Sequence, residues 1–353
     1  MTAPAMRIGI HVPQYGGTWD DIRAVAEYLD RSAVDTLWVN DHLQAPGRIK
    51  SDPTFDAFTT LSALAPLTRR VNLGIAVLSA AYRPLQMAAK MASVLDVISG
   101  GRLIVGVGTG SDRPEHATYG FPFGTARERT DRLRVTLEVM NAMWEHPDGA
   151  SVANILDDAP NLPQSGRPPV WLAAHGPVLL TLAGRVADGI IAAWTPPAEL
   201  GARARIAHES ALAAGRPRLR VRLYSFGLIA PSTGELHSWV TPQAQRLGTT
   251  SARYLRWLRT TGLVGTPDEV RQQLAAYAAA GATDVILALP ERVPVDVFAA
   301  IADALAPVFE APAASRPTAH GVRADANLVH LLVGRHRAAG AGARPAVIDA
   351  HGE

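Results

Sequence analysis

The sequence predicts an α/β fold, a (β/α)8 TIM barrel over residues 1–310, on three observations. Short apolar runs of strand length alternate with helical stretches from Arg7 to Phe309. The runs are separated by segments long enough for the crossover helices that parallel strands require. Eight such units fit in roughly 310 residues, the usual size range of a closed barrel. A doubly wound sheet would explain the same alternation and is the alternative.

Each element has a local reason. Arg7–Val12 reads as the first strand, and Thr18 caps a helix whose first turn carries Asp20 and Asp21, suited to the positive helix end. Ile22, Val25, Ala26 and Leu29 form its buried stripe. Thr36–Val39 is the second strand, followed by Asn40-Asp41-His42, and Phe55–Ala65 is helical. Val71–Ser79 is near-continuously apolar, as expected of a strand buried on both faces. Pro84–Ser99 is a helix ended by Gly100-Gly101, and Leu103–Val107 is the fourth strand, opening into Gly108-Thr109-Gly110. Residues 111–124 read as a loop and Ala126–Trp144 as a long helix. An insertion rich in Asp, Pro and Gly follows at 145–168. Val170–Ala174, Gly189–Ala193 and Leu219–Ala230 are strands five to seven, with a helix at Val178–Val186. A second insertion, 231–262, is mostly polar with anchors Trp239, Tyr254 and Trp257. Thr266 and Glu269 make a capping box around Pro267 for a helix to Ala280. Asp284–Leu289 is the eighth strand and Val295–Phe309 the last helix. Residues 311–353, rich in Ala, Arg, Gly and Pro, read as a mostly disordered tail with a short helix near Leu328–Val333.

Composition narrows the function. With 48% hydrophobic and 19% charged residues, global disorder is excluded. The absence of cysteine excludes disulfides, thiol catalysis and cysteine-held metal centres. No apolar run approaches the ~20 residues of a membrane helix, and Met1–Met6 lacks a signal-peptide pattern, so a cytoplasmic enzyme is expected. The net charge is +2, and the tail alone accounts for it, with five arginines against three carboxylates. Residues 1–310 are therefore neutral on balance, which argues against a nucleic-acid face.

In a barrel the active site lies at the C-terminal ends of the strands. That rule selects Gln14, Asp41, His42, Ser79, Thr109, Gly110, Ser111, His175, Gly176, Trp194, Pro290 and Glu291. Asp41-His42 is the best polar pair, since an imidazole beside a carboxylate can move protons. Gly106-Val-Gly108-Thr-Gly110 fails the dinucleotide fingerprint, with Ser111 at the third glycine and Pro114 where a helix should open. A tight loop or close approach to a flat ligand explains it better. His175-Gly176-Pro177 precedes a helix whose N–H groups could hold a phosphate, or is an ordinary turn. His11 could be a core or a pocket residue, while His116, His146, His208 and His237 are expected in solvent. No metal-ligand spacing occurs, so no metal is assigned. Few ionisable groups line this mouth, which suits an organic cofactor that carries the hard chemistry.

Together these residues resemble the luciferase-like monooxygenase superfamily, and within it the oxidoreductases that use the deazaflavin coenzyme F420. The stretches that carry the resemblance are LWVNDHL (Leu37–Leu43), LGIAVLSAAYRPLQMAAKMASVLDVISGGRLIVGVGTG (Leu73–Gly110), EHATYGFPF (Glu115–Phe123), ERTDRL (Glu128–Leu133), WLAAHGP (Trp171–Pro177) and GTPDEVRQQLAAYAAAGATDVIL (Gly265–Leu287). The resemblance implies a (deaza)flavin ring across the strand ends, bordered by Asp41 and His42. It implies a non-proline cis peptide at Ala76-Val77 behind the ring. It also implies contacts to the ring, its side chain or its phosphate from Ser79, Thr109, Gly110 and the Ala174-His175-Gly176 turn. It further implies a homodimer acting on a small molecule by hydride transfer. FMN with oxygen, in a monooxygenase, is the alternative, and a non-catalytic flavin-binding homologue is a third reading. Sugar-phosphate dehydrogenases of this branch carry a glutamate where Ser111 stands, and no lysine follows Lys90, so sugar-phosphate oxidation is disfavoured.

Overall fold

In a computed structural model that describes residues 6–45, 52–145, 167–289 and 295–305, the chain runs β1 (Arg7–His11), α1 (Trp19–Arg31), β2 (Thr36–Val39), α2 (Ala57–Leu64), β3 (Asn72–Ser79), α3 (Leu85–Ser99) and β4 (Leu103–Gly108). It continues through α4 (Arg113–Thr118), α5 (Ala126–Glu145), β5 (Val170–Ala173), α6 (Pro177–Val186), β6 (Gly189–Ala193), α7 (Pro197–Ala213) and β7 (Arg220–Ile229). It ends with α8 (Thr233–Arg246), α9 (Ser251–Thr261), β8 (Gly262–Gly265), α10 (Pro267–Ala279), β9 (Asp284–Ala288) and α11 (Val295–Leu305). Every strand pairing is parallel. Pairing runs from β1 to β6 in order, β6 joins β7, β7 joins β9, and β9 returns to β1. β1–β7 and β9 thus close the predicted eight-stranded barrel.

The chain divides into units Met1–Pro317 and Thr318–Glu353, and every described residue belongs to the first. The expected tail, its short helix, the boundary at 310, most of the 145–168 insertion, His146, Pro290 and Glu291 lie outside the described residues.

One expectation needs correction, and two segments carry elements that the sequence reading did not assign. The loop at 111–124 contains α4, which Asp112 caps by accepting from the Glu115 N–H. Pro114 sits in its first turn, where a missing N–H costs nothing. The connection between β6 and β7 holds a further helix, α7. The insertion at 231–262 folds into α8 and α9, and β8 then pairs with β7 at Phe226–Ile229, beyond the Tyr224 where β6 pairing ends. The capping boxes at Thr18 and at Thr266 form, the first closed by Asp21.

Successive strand residues face opposite ways, and here both faces are buried. Ile8 and Ile10 pack outward in the main core with the helices, whereas Gly9 faces inward against Trp38. A Cβ on Gly9 or Gly74 would stand 2.1 or 2.3 Å from the Trp38 ring, and one on Gly189 would stand 2.5 Å from Trp171. Glycine on one strand therefore makes room for tryptophan on its neighbour. The Arg222 guanidinium lies 3.9 Å from the Trp171 ring centroid and 4.5 Å from that of Trp38. Its Nη2 donates to Asp284 at 2.8 Å. The barrel centre is thus closed by a buried cation between two indoles, which confines ligands to the mouth.

The Ala76–Val77 peptide is cis, and the β3–β4 register shifts between Ile75 and Leu78. Val77 fills the space that side chains at Gly106 and Gly108 would take. Those glycines make room for Val77 of the β3 bulge.

Candidate active site

The mouth is built from the strand ends. Gln14, fully buried, accepts from the Asn40 N–H and donates to the Asn40 and Phe55 carbonyls. It clamps the chain just before the polar pair and is a structural residue here. Asp41 Oδ2 accepts from the Ser79 N–H at 2.9 Å and from Arg83 Nη1 at 2.7 Å, and Arg83 Nη2 donates to Asp56. Burial pushes the Asp41 carboxyl up, and Arg83 pulls it the other way without cancelling the rise. Oδ1 of Asp41 is buried with no partner among the described residues.

His42 does not use Asp41 as its carboxylate. Its Nδ1 lies 2.8 Å from Oε2 of Glu115, on α4. Glu115 is fully buried and also accepts from the Tyr82 hydroxyl at 2.6 Å and from the Leu43 and Gln44 amides. Burial alone would raise this carboxyl, but His42, Tyr82 and the Leu43 N–H outweigh it and lower it from 4.5 to about 2. An ionised carboxylate only accepts, so the His42 proton in the neutral form sits on Nδ1 and Nε2 carries the lone pair. The His42 side chain is 26% exposed. A carboxylate that orients an imidazole in this way leaves Nε2 to take or give a proton.

The linkage is testable by pH. A carboxylate depressed in the fold contributes stability above its unfolded pKa and loses it as pH falls toward its folded pKa. For Glu115 that window runs from 4.5 down to about 2. The contribution is on the order of 3 kcal/mol. Urea denaturation of Glu115→Gln should therefore show a flatter loss of stability between pH 5 and 2 than the parent chain; parallel curves would refute the linkage.

Histidine placement differs from expectation in part. His116 is buried beside Tyr82 and Phe123 and fixes the space under Gly110, where a Cβ would stand 3.1 Å from its Nε2. Burial also pushes its imidazole down. It is not solvated, because α4 turns it inward beside Glu115. His208 is half-buried with Nε2 at 3.0 Å from the Leu219 carbonyl, and His237 is half-buried too. His11 shares the inward face of Gly9 at the mouth end of β1, and its Nε2 is buried without a partner among the described residues. Burial lowers its imidazole to about 4, against hydrogen bonding to Gln14 and Val12.

The structure gathers the candidates into two groups. Asp41, His42, Ser79 and Gly110 stand together: a Cβ on Gly110 would lie 3.5 Å from Ser79 Oγ. Thr109 is half-buried and Ser111 exposed. The second group is at the ends of β5 and β6. Ala174 is buried there, and His175 Nδ1 lies 2.9 Å from Arg203 Nη1, which also donates to Thr195. Arg203 Nη2 reaches Glu199 at 2.6 Å. Partial desolvation, then the Arg203 charge, lowers the His175 imidazole. Gly176 caps α6 without a side-chain hydrogen bond, and a Cβ there would stand in open space. Trp194 has φ +52°, a region that costs a bulky residue about 1–3 kcal/mol. Its amide donates to the Tyr224 carbonyl at 2.9 Å. Glu115 and Arg203 are the members that strand-end reasoning missed. The Asp112-x-x-Glu115 spacing of a helix start was the available signal for the first.

Comparison with known proteins fits this arrangement. The family model described as luciferase-like monooxygenase matches residues 5–284. The chain belongs to the luciferase-like monooxygenase family. An F420-dependent glucose-6-phosphate dehydrogenase of Amycolatopsis mediterranei is 32% identical over 177 residues, 48% of this chain and 53% of that protein. An F420-dependent hydroxymycolic acid dehydrogenase of Mycobacterium tuberculosis is 31% identical over 199 residues, 54% of this chain and 53% of that protein. The chain thus spans about half the length of the curated relatives it matches. A solved F420-dependent secondary alcohol dehydrogenase superposes with a TM-score of 0.72 at 17% identity, covering 86% of this chain and 98% of that one. A monooxygenase from Streptomyces bottropensis gives 0.71 at 20%, with 86% and 98% covered. These likenesses show the family's fold. No helix among the described residues is long and apolar enough to cross a membrane.

Proposed function

We propose that this chain is an F420-dependent oxidoreductase that moves a hydride between the deazaflavin and a small organic carbonyl–alcohol pair. The observation that carries the reading is the Glu115–His42 pair at the mouth, a proton carrier of fixed tautomer beside the strand ends. Neutral His42 Nε2 accepts the alcohol proton as the carbon gives up hydride; the imidazolium returns it in the reverse direction.

Residues of this chain fit the cofactor. Two of the buried atoms without hydrogen-bond partners among the described residues, Asp41 Oδ1 and His11 Nε2, suit the polar edge of a (deaza)flavin ring. The β3 bulge at Ala76 and Val77 would support the ring, with Ser79, Thr109 and Gly110 available to contact it. The uncapped start of α6 at Gly176, with Ala174 and His175 leading into it, would hold the phosphate. When bound, F420 supplies two-electron hydride chemistry. Asp41 holds Ser79 and Arg83 in place. The names of the F420-dependent relatives support this choice over FMN.

The test is titration of the purified protein with F420 and, separately, with FMN, followed by tryptophan fluorescence and by the visible spectrum of the cofactor. F420 should bind in the micromolar range or tighter and FMN at least tenfold more weakly. Preference for FMN together with oxygen uptake would establish the monooxygenase instead.

A further inference from the structure

We propose that the organic substrate carries an aromatic ring, seated on a wall of aromatic side chains that leads from the surface to His42. This inference rests on the F420 reading above. The wall begins inside the barrel. Arg222 faces inward, so Tyr224 and Phe226, two and four residues further along β7, face the same way at the mouth. The Tyr224 hydroxyl accepts from Asn40 Nδ2 at 3.2 Å, and Asn40 stands two residues before His42. From Tyr224 the wall runs outward. Trp194 meets the Tyr224 ring edge-on at 5.2 Å and lies against Phe226 at 4.3 Å, and Trp257 of α9 lies 5.3 Å beyond Phe226. The two indoles remain 44% and 47% exposed, the inner rings half-buried.

Such a surface recognises a flat apolar body and not a sugar phosphate. Arg203 reaches this wall through Thr195, and its Nη1 and Nη2 are occupied by His175, Thr195 and Glu199. The two lysines of the chain are Lys50 and Lys90, and Lys90 lies on α3, away from these strands. Trp194 keeps a left-handed backbone that glycine would adopt more readily, and the indole it carries is turned onto the wall. In reduction, the carbonyl carbon of an aryl ketone takes the hydride from reduced F420, which is oxidised. The oxygen takes the proton from His42 Nε2, giving the secondary alcohol.

The experiment compares 2-acetonaphthone, acetone and glucose 6-phosphate with the F420-loaded protein. The naphthyl ketone should be reduced with kcat/KM at least 100-fold above that of acetone, and glucose 6-phosphate should not be oxidised detectably. Trp194→Ala should raise KM for the naphthyl ketone about 10- to 100-fold, the loss of one large aromatic contact, and alter acetone less than about 3-fold. Trp194→Phe should recover most of the loss. Trp257→Ala, at an exposed helix position, should give a smaller change in the same direction and guards against misfolding of the Trp194 variants. F420 affinity should be unchanged in all of them. Equal use of acetone and the naphthyl ketone, preference for the sugar phosphate, or equal losses for both ketones would overturn the inference. F420 binding in the same titrations separates the two readings. If F420 binds and the aryl preference is missing, only this inference falls. If F420 does not bind, the proposed function falls and this inference with it.

Discussion

Replacing His42 by alanine is expected to lower turnover by about 10²- to 10⁴-fold, the usual worth of a positioned general acid–base. The loss follows from geometry. Glu115 holds Nδ1, so Nε2 is the atom that exchanges a proton with the substrate oxygen. Water in the mouth would replace it poorly, because it is neither oriented nor charge-compensated by a buried carboxylate. Glu115→Gln should lie between the parent and His42→Ala. A glutamine oxygen still accepts from Nδ1–H, but the negative charge that stabilises the imidazolium is gone. Turnover by His42→Ala within threefold of the parent would remove His42 from the chemistry.

The route to this site shows what a sequence exposes. The strand-end rule found Asp41, His42 and Ser79 because barrel topology fixes where strand ends meet, and the apolar runs marked those ends. It paired His42 with Asp41 because they are adjacent in sequence. Adjacent residues at a strand end point apart, and the true partner comes from α4, 73 residues away. α4 is six residues long, too short to display a period, so only its cap and proline announce it. α7 escaped notice for another reason: its buried stripe is Leu200, Ala204, Ala207 and Ala211, and alanine gives little contrast with a polar face. Arg222 was hidden by the usual rule that charge faces water. In the run Arg220-Val-Arg222-Leu-Tyr224 the period of two is visible, but which face is the interior is decided by the tryptophans across the barrel.

That buried cation sets the second large effect. Asp284→Ala is expected to destabilise the barrel by about 3–5 kcal/mol, because it strands a charge that has no water to return to. Arg222 and Asp284 are both almost completely buried, and Asp284 also receives Arg220 at 2.7 Å. Burial alone would raise the Asp284 carboxyl; Arg222 and Arg220 hold it below the ordinary range instead. The indoles of Trp38 and Trp171 offset part of the desolvation of Arg222 through their faces, but they cannot neutralise it. Removing both charges is a different experiment from removing one. In Arg222→Met with Asp284→Leu no fully buried ion is left without a partner, since Arg220, which also loses Asp284, is 34% exposed and can turn to water, and hydrophobic replacement of a buried pair is often near neutral. Urea denaturation should therefore place the double variant within about 2 kcal/mol of the parent, far above Asp284→Ala. If the double variant is as unstable as the single one, the pair is needed for packing between the tryptophans and not only for charge balance. If Asp284→Ala is itself harmless, the centre of this barrel admits water, and the mouth is not the only place a ligand can enter.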